Sequence, residues 1–528
     1  MPGRTTEVTF FGANLNEPRC LWLSFPGTAA FTTNGGTDRL VCRLTLPADA
    51  PVSIGAVRLA TTKGISSLHL FMVDDLPGVT DRGTNRSPAT AQPLTLPVAV
   101  DGACDELKVN YYKFTAKKGQ RVSVEAVARR LGSALDPVVR VFDTKGRELA
   151  YSDDDPALGR DSRCACEIPV NGDYFIEIRD IDYRGGTKHR FHLRVGNFPL
   201  VNFPFPFAAK PGAEAKLVFA GRGVEGLKPF SIPVPERAPG NAVPLAAKFA
   251  NGHGSEPVSL LIGSANELTE IEPNDSPTNS QAIKIPAAIN GRFAKPNDRD
   301  FFQFDVAKDE RLVIKGRTRT LGSPCDLYIE LLEADGRRLA VTKLSTNENV
   351  SISHTFAEGG THRLRVEEIN RLGGPEMAYR IEIARPQPGF ALSVETERVE
   401  GVSGGTAELK VTCERNNFDG AITLSCEGLP VGFSLTNNVL TEKSTEVKLK
   451  VGFPPDFVAG QIANVHVVGR ARVGETEQSV TASTLAALKR LFPDTPYTPA
   501  HLDGVIATGL SASPPKPLEE TPAPKRKK

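Results

Sequence analysis

The residues 110–150, "NYYKFTAKKGQRVSVEAVARRLGSALDPVVRVFDTKGRELA", align without a gap with residues 300–340, "DFFQFDVAKDERLVIKGRTRTLGSPCDLYIELLEADGRRLA". Of the 41 paired positions, 12 are identical. They include Leu131-Gly132-Ser133 with Leu321-Gly322-Ser323, Asp136 with Asp326, and Gly146-Arg147 with Gly336-Arg337. Tyr111-Tyr112 and Phe301-Phe302 match in character, and residues 172–186 align with 360–374 after a two-residue deletion. The offset (300 − 110 = 190 residues) is far longer than a solenoid unit. The chain therefore contains a duplicated domain with another segment between the copies.

A chain of 528 residues exceeds one hydrophobic core and predicts three to five domains. Its 47 Gly and 41 Pro, with recurrent short runs of Val, Thr, Phe and Ile, favour many strands joined by turns. Within each copy, "ADGRR" is a hairpin turn signal and "THRLRVEEI" alternates, with Leu364 and Val366 on one face. About seven or eight strands per copy predict a small jelly-roll-like β-sandwich. A net charge of +1 gives no global attraction to nucleic acid. No apolar run approaches the roughly 20 residues of a membrane span. The start, "MPGRTTEVTFFGANL", lacks the apolar core of a signal peptide, which leaves a cytosolic protein or a true start further upstream. Eight Cys over this length do not form a disulfide framework.

The order "EPNDS", "DFFQFDV", "LGSPCDLYIELLEADGRRLA" and an alternating last strand after a Gly-Gly pair resembles the bacterial pre-peptidase C-terminal domain. The resemblance covers roughly 268–385 well and 85–197 moderately. It implies a non-catalytic β-sandwich of the kind attached to secreted peptidases, similar to the collagen-binding modules of clostridial collagenases. Tandem copies separated by immunoglobulin-like segments resemble large surface proteins of planctomycete-type bacteria.

The segment "NELTEIEPNDSPTNSQA" (266–282) gathers oxygens in a way a hydrophilic linker does not require. In an extended chain Glu270, Glu272 and Asn274 share a face, and Asp298 and Asp300 repeat the spacing before "FFQFDV". Two such ribbons could supply the six to eight oxygens of a Ca²⁺ site. The resemblance implies structural calcium here, held by Glu270, Glu272, Asn274, Asp275, Asp298 and Asp300. The alternative is a solvated acidic turn capped by Asn and Asp. The first copy has Gly83, Arg86 and Asn110 at three matching positions, so it is expected to lack the site. Its own acidic stretch, "SDDDPALGRDS" with Asp153, Asp154, Asp155 and Asp161, is expected to be a solvated loop.

The remaining sequence predicts further β-modules, giving boundaries near 1–80, 81–197, 198–266, 267–385 and 386–485. The first and last of these are read as immunoglobulin-like, and 486–528 as a short helix and a disordered Pro/Lys-rich tail. Catalytic patterns fail on context. "GVSGG" places Ser403 in a G-x-S-x-G match, but "TAELKVTC" after it reads as a strand where a nucleophile elbow needs a helix. His189 and His192 fall on opposite faces of a strand, and no H-E-x-x-H or P-loop occurs. The expectation is an all-β, multidomain, non-catalytic protein of the cell exterior, acting in adhesion, ligand binding or scaffolding toward an extracellular protein or polysaccharide. The second expectation is the accessory portion of a secreted peptidase or other hydrolase.

Overall fold

The computed structural model describes residues 1–33, 35–250, 252–263, 266–342, 349–495 and 497–511. Its regular structure is almost wholly strand, and the α-helix among these residues, Leu485–Leu491, has seven residues. No described helix is long and apolar enough to cross a membrane.

The two copies have the same topology. In the first the strands are β1 (Gly78–Thr80), β2 (Gln92–Pro93), β3 (Val98–Ala103), β4 (Asn110–Ala116) and β5 (Arg121–Val127). Then come β6 (Pro137–Asp143), β7 (Glu148–Ser152), β8 (Arg163–Glu167), β9 (Gly172–Asp180) and β10 (Arg190–Gly196). The second copy runs β11 (Asn266–Thr269), β12 (Gln281–Ala282), β13 (Ala287–Arg292), β14 (Arg299–Val306) and β15 (Arg311–Arg317). It continues with β16 (Leu327–Glu333), β17 (Arg338–Val341), β18 (Asn349–Thr355), β19 (Gly360–Glu368) and β20 (Ala378–Ala384). The first sandwich pairs its strands as β8-β5-β10-β3-β1 and β7-β6-β9-β4-β2. The second pairs as β18-β15-β20-β13-β11 and β17-β16-β19-β14-β12. Ten strands thus repeat in one order, more than the seven or eight expected.

The shared motifs explain the shared geometry. Each "LGS" ends a short 3-10 turn, where Gly132 and Gly322 take left-handed backbone (φ 76° and 88°) that a side chain would oppose. The serine then donates to the opposite chain, Ser133 Oγ to Lys188 O and Ser323 Oγ to Glu376 O. Alternation buries Tyr174, Ile176 and Ile178 on β9, and Leu364 and Val366 on β19. They join two separate cores that include Phe114 and Val139 in one copy, Phe302 and Ile329 in the other. Burying such a side chain contributes about 1.5–3 kcal/mol.

Further sheets lie before, between and after the sandwiches. The apolar stretch "FPLVNFPFPFAA" (198–209) is a spine between the copies. Phe203 and Phe207 pack with Ala378 of β20, and Asn290 of β13 accepts the Phe207 N–H at 3.0 Å. The last module departs from the sequence reading. Residues Ile506–Leu510, assigned to the helix and tail, form a buried strand parallel to Arg398–Gly401 and antiparallel to Ala463–Val465. The tail beyond 511 lies outside the described residues. The helix Leu485–Leu491 seats Leu488 against Ala56 and Leu68 of the first module. Arg58 of that module is ion-paired with Glu397, both buried.

A buried polar junction joins three modules. Arg194 on β10 is fully buried and donates to Asp74 (3.0 Å), Glu125 (3.0 Å) and the Gly254 carbonyl (2.9 Å). His192 lies between Asp74 (2.8 Å) and Asp101 (2.7 Å). Burial opposes its charge, but the two carboxylates outweigh that and raise it to about 9. A folded value above the unfolded 6.5 gives stability that is complete below pH 6.5 and lost as pH rises through 9. At 1.36 kcal/mol per pH unit that is roughly 3 kcal/mol. Urea unfolding between pH 6 and 9.5 should show the decline, and His192→Gln should flatten it; an unchanged profile in the variant would contradict the assignment.

Candidate cation site

Glu270, Glu272, Asn274 and Asp275 lie on the segment leading from β11 to the 3-10 turn Pro277–Asn279, which Ser276 caps through Asn279. Main-chain bonds pin this segment to the sandwich. The Glu270 N–H donates to Asn290 O (3.0 Å), and the Phe301 N–H donates to Asn274 O (2.9 Å). The β13–β14 loop is fixed from the other side by the Gly373-Gly374 pair. A Cβ on Gly373 would lie 2.1 Å from the Lys295 carbonyl carbon, so only glycine permits this approach.

The expected residues then divide. Glu272, Asp298 and Asp300 each place a carboxylate oxygen within 4.8 Å of the other two. Asn274 is fully buried with both amide atoms lacking any partner. One buried oxygen each of Asp275, Asp298 and Asp300 is also unpartnered. Buried polar atoms are almost always hydrogen-bonded, and each orphan costs about 1–3 kcal/mol. Glu270 is already engaged, accepting from the Arg292 N–H and from Tyr379 Oη (3.2 Å). Asp275 meets Lys295 Nζ at 3.3 Å, and that ammonium is 3.8 Å from Asp298.

Tyr379 is the partner that sequence reasoning missed. Its hydroxyl also hydrogen-bonds Asp300 and, having one proton, donates to one of the two carboxyl groups at a time, linking them across the sandwich. Burial pushes the Asp300 carboxyl up to about 9, reinforced by Glu270. Burial likewise lifts Glu270 to about 8, against the donors from Arg292 and Tyr379, with Glu272 and Asp298 adding repulsion. Asp298 is raised too, again first by burial. Convergent carboxyl oxygens, several of them orphaned, with no nitrogen or sulfur ligand among them fit a hard divalent cation. Tyr379→Phe should lower stability in chelator by about 1–2 kcal/mol, since the carboxylates lose their donor. An unchanged urea midpoint would count against this role.

The first copy's acidic loop is not uniformly solvated as expected. Asp153 and Asp154 are exposed, but Asp155 and Asp161 are buried and ion-paired with Arg163 (2.7 Å) and Arg130 (2.8 Å). The partners are arginines, unlike the convergent carboxylates around Asp300. Ser403 donates to Pro455 O in the turn before the strand Thr406–Asn416. All eight cysteines are free.

The bacterial pre-peptidase C-terminal domain model matches residues 108–180, which is β4 to β9 of the first sandwich. A probable subtilase-type serine protease of Deinococcus radiodurans is 29% identical over 165 residues, covering 29% of this chain and 21% of that protein. The chain thus matches about a fifth of that relative's length. Similar solved structures include the pre-peptidase C-terminal domain of a Bacillus anthracis collagenase, at 14% identity and TM-score 0.17. That match covers 22% of this chain and 99% of the other. The Aeromonas hydrophila periplasmic lysozyme inhibitor PliG is another, at 16% identity and TM-score 0.17, covering 23% and 96%. The chain contains a pre-peptidase C-terminal domain, and it lies in the first of the two sandwiches.

Proposed function

We propose that this is a non-catalytic, multidomain protein of the cell exterior, serving adhesion, ligand binding or scaffolding toward an extracellular protein or polysaccharide. Both sandwiches are read as pre-peptidase C-terminal domains, set among immunoglobulin-like modules, with the first sandwich beginning at Gly78 and the last module reaching Leu510. The second sandwich holds a structural Ca²⁺. Glu272, Asp298 and Asp300 are its central ligands, Asn274 and Asp275 adjoin them, and Glu270 supports Asp300 through Tyr379. The observation that carries this reading is the set of buried, unpartnered oxygens around three convergent carboxylates. Bound there, calcium supplies positive charge and binds the leading segment to the sandwich; it performs no chemistry. Calorimetric titration of the full chain tests the site: saturable binding should occur, and Asp300→Ala with Glu272→Ala should abolish it.

The second reading, an accessory portion of a secreted peptidase, is supported by the similarity to the Deinococcus protease. Purified protein should show no turnover on peptide, ester or glycoside substrates. Turnover that persists through purification and vanishes on one substitution would overturn the non-catalytic reading.

A further inference from the structure

The first sandwich closes the same corner of the fold by different means. Equivalent main-chain bonds fix the correspondence. Tyr111 N–H donates to Asn85 O as Phe301 N–H does to Asn274 O, and Asp81 N–H to Asp101 O as Glu270 N–H does to Asn290 O. Arg82 N–H also donates to Gln92 Oε1 as Ile271 N–H does to Gln281 Oε1. Asp81 therefore stands at Glu270, Gly83 at Glu272, Arg86 at Asp275, Asp105 at Lys295, Lys108 at Asp298 and Asn110 at Asp300. With every carboxyl group counted as ionised, the second corner has five carboxylates and one lysine (−5 + 1 = −4), and the first has two carboxylates and two cations (−2 + 2 = 0).

The Arg86 guanidinium donates to Asn110 Oδ1 with one nitrogen and to Asp105 with another. Asn110 Nδ2 donates to Asp81 (3.1 Å) and Ala103 O (3.2 Å), and Tyr112 Oη donates to Asp81 (2.7 Å). The hydroxyl comes from β4 here and from β20 in the second copy, where Tyr379 reaches Glu270 and Asp300. Asn110 and Asp81 have no orphaned buried atom, whereas Asp300 at the position of Asn110 does. The ion pair is also reversed: Arg86 on the leading segment with Asp105 on the loop, against Asp275 with Lys295.

We infer that Arg86 is a built-in cation. Its guanidinium joins the leading segment to the β3–β4 loop and to β4, as a metal ion would in the second sandwich. The chain then has one joint that holds without metal and one that needs it. The comparison rests on the calcium reading of the second copy, but the role of Arg86 is tested without metal.

The test is hydrogen exchange on the full chain in chelator. Arg86→Met should speed exchange across 82–91 about tenfold or more, as expected for the loss of two charge-assisted hydrogen bonds. Arg86→Lys, which keeps the charge, should restore part of the protection. Should Arg86→Met fail to fold, Asp105→Asn removes one partner and should give a smaller rise in the same amides. Wild-type exchange in Arg86→Met, or in Asp105→Asn where that is the variant measured, would overturn the inference. A transplant into the second copy, Asp275→Arg with Lys295→Asp, should abolish its calcium response and keep segment 271–280 protected in chelator. Loss of that protection would refute interchangeability. Absence of any calcium response in the wild type would defeat only the calcium reading, and Arg86→Met would still decide this one.

Discussion

Replacing Asp161 with alanine should cost the first sandwich about 3–5 kcal/mol, the range for removing one partner of a buried ion pair. The carboxylate is fully buried and accepts the Ala128 N–H (3.1 Å), the Arg129 N–H (2.7 Å) and Arg130 Nε (2.8 Å). Alanine would leave three main-chain donors, the Ala128, Arg129 and Arg130 N–H groups, without this acceptor and the Arg130 side chain with only Glu125 and Glu256. Arg130 also joins β5 to the middle module through Glu256, so the loss should reach that interface. Hydrogen exchange of β5 and the urea midpoint of the full chain would measure it. A loss below about 1 kcal/mol would show that this network is not what holds the loop.

Calcium should stabilise the second sandwich and release protons as it binds. Coupled through Tyr379, Glu270 and Asp300 have folded values near 8 and 9, above the ordinary 4.5 and 3.8. Without metal, their contribution to stability is complete below about pH 4 and lost as pH rises through 8 to 9. Ionised carboxylates are required as ligands, so binding at pH 7 should expel roughly one or two protons. The stabilisation should reach about 2.7 kcal/mol at a hundredfold excess over Kd, and affinity should increase from pH 5 to pH 9. Titration calorimetry at pH 7 in buffers of different ionisation enthalpy would show it. Identical heats in every buffer would mean that these carboxylates do not exchange protons for the ion.

The duplication was legible because it is a matter of residue identity at fixed spacing. Leu-Gly-Ser, Gly-Arg and the Gly-Gly pair each fix a local geometry, so their recurrence carried the topology of both sandwiches. The convergence of Asp298 and Asp300 was legible because alternate residues of an extended chain share a face. Tyr379 was not: it lies 79 positions from Asp300. The first copy supplies its hydroxyl from Tyr112 and keeps Phe191 opposite, so alignment of the copies conceals the equivalence. Asp155 and Asp161 were read as solvated because their arginines arrive from another turn and another strand. Ile506–Leu510 escaped notice because its partners, near 398 and 463, are set by long-range pairing that no local pattern encodes.

The central claim is a single cation site, in the second sandwich only. Equilibrium dialysis of the full chain against labelled calcium tests it most directly. One ion per chain should bind, and Glu272→Ala with Asp300→Ala should reduce that to none. No bound ion, two ions, or one that survives the double substitution would contradict the account.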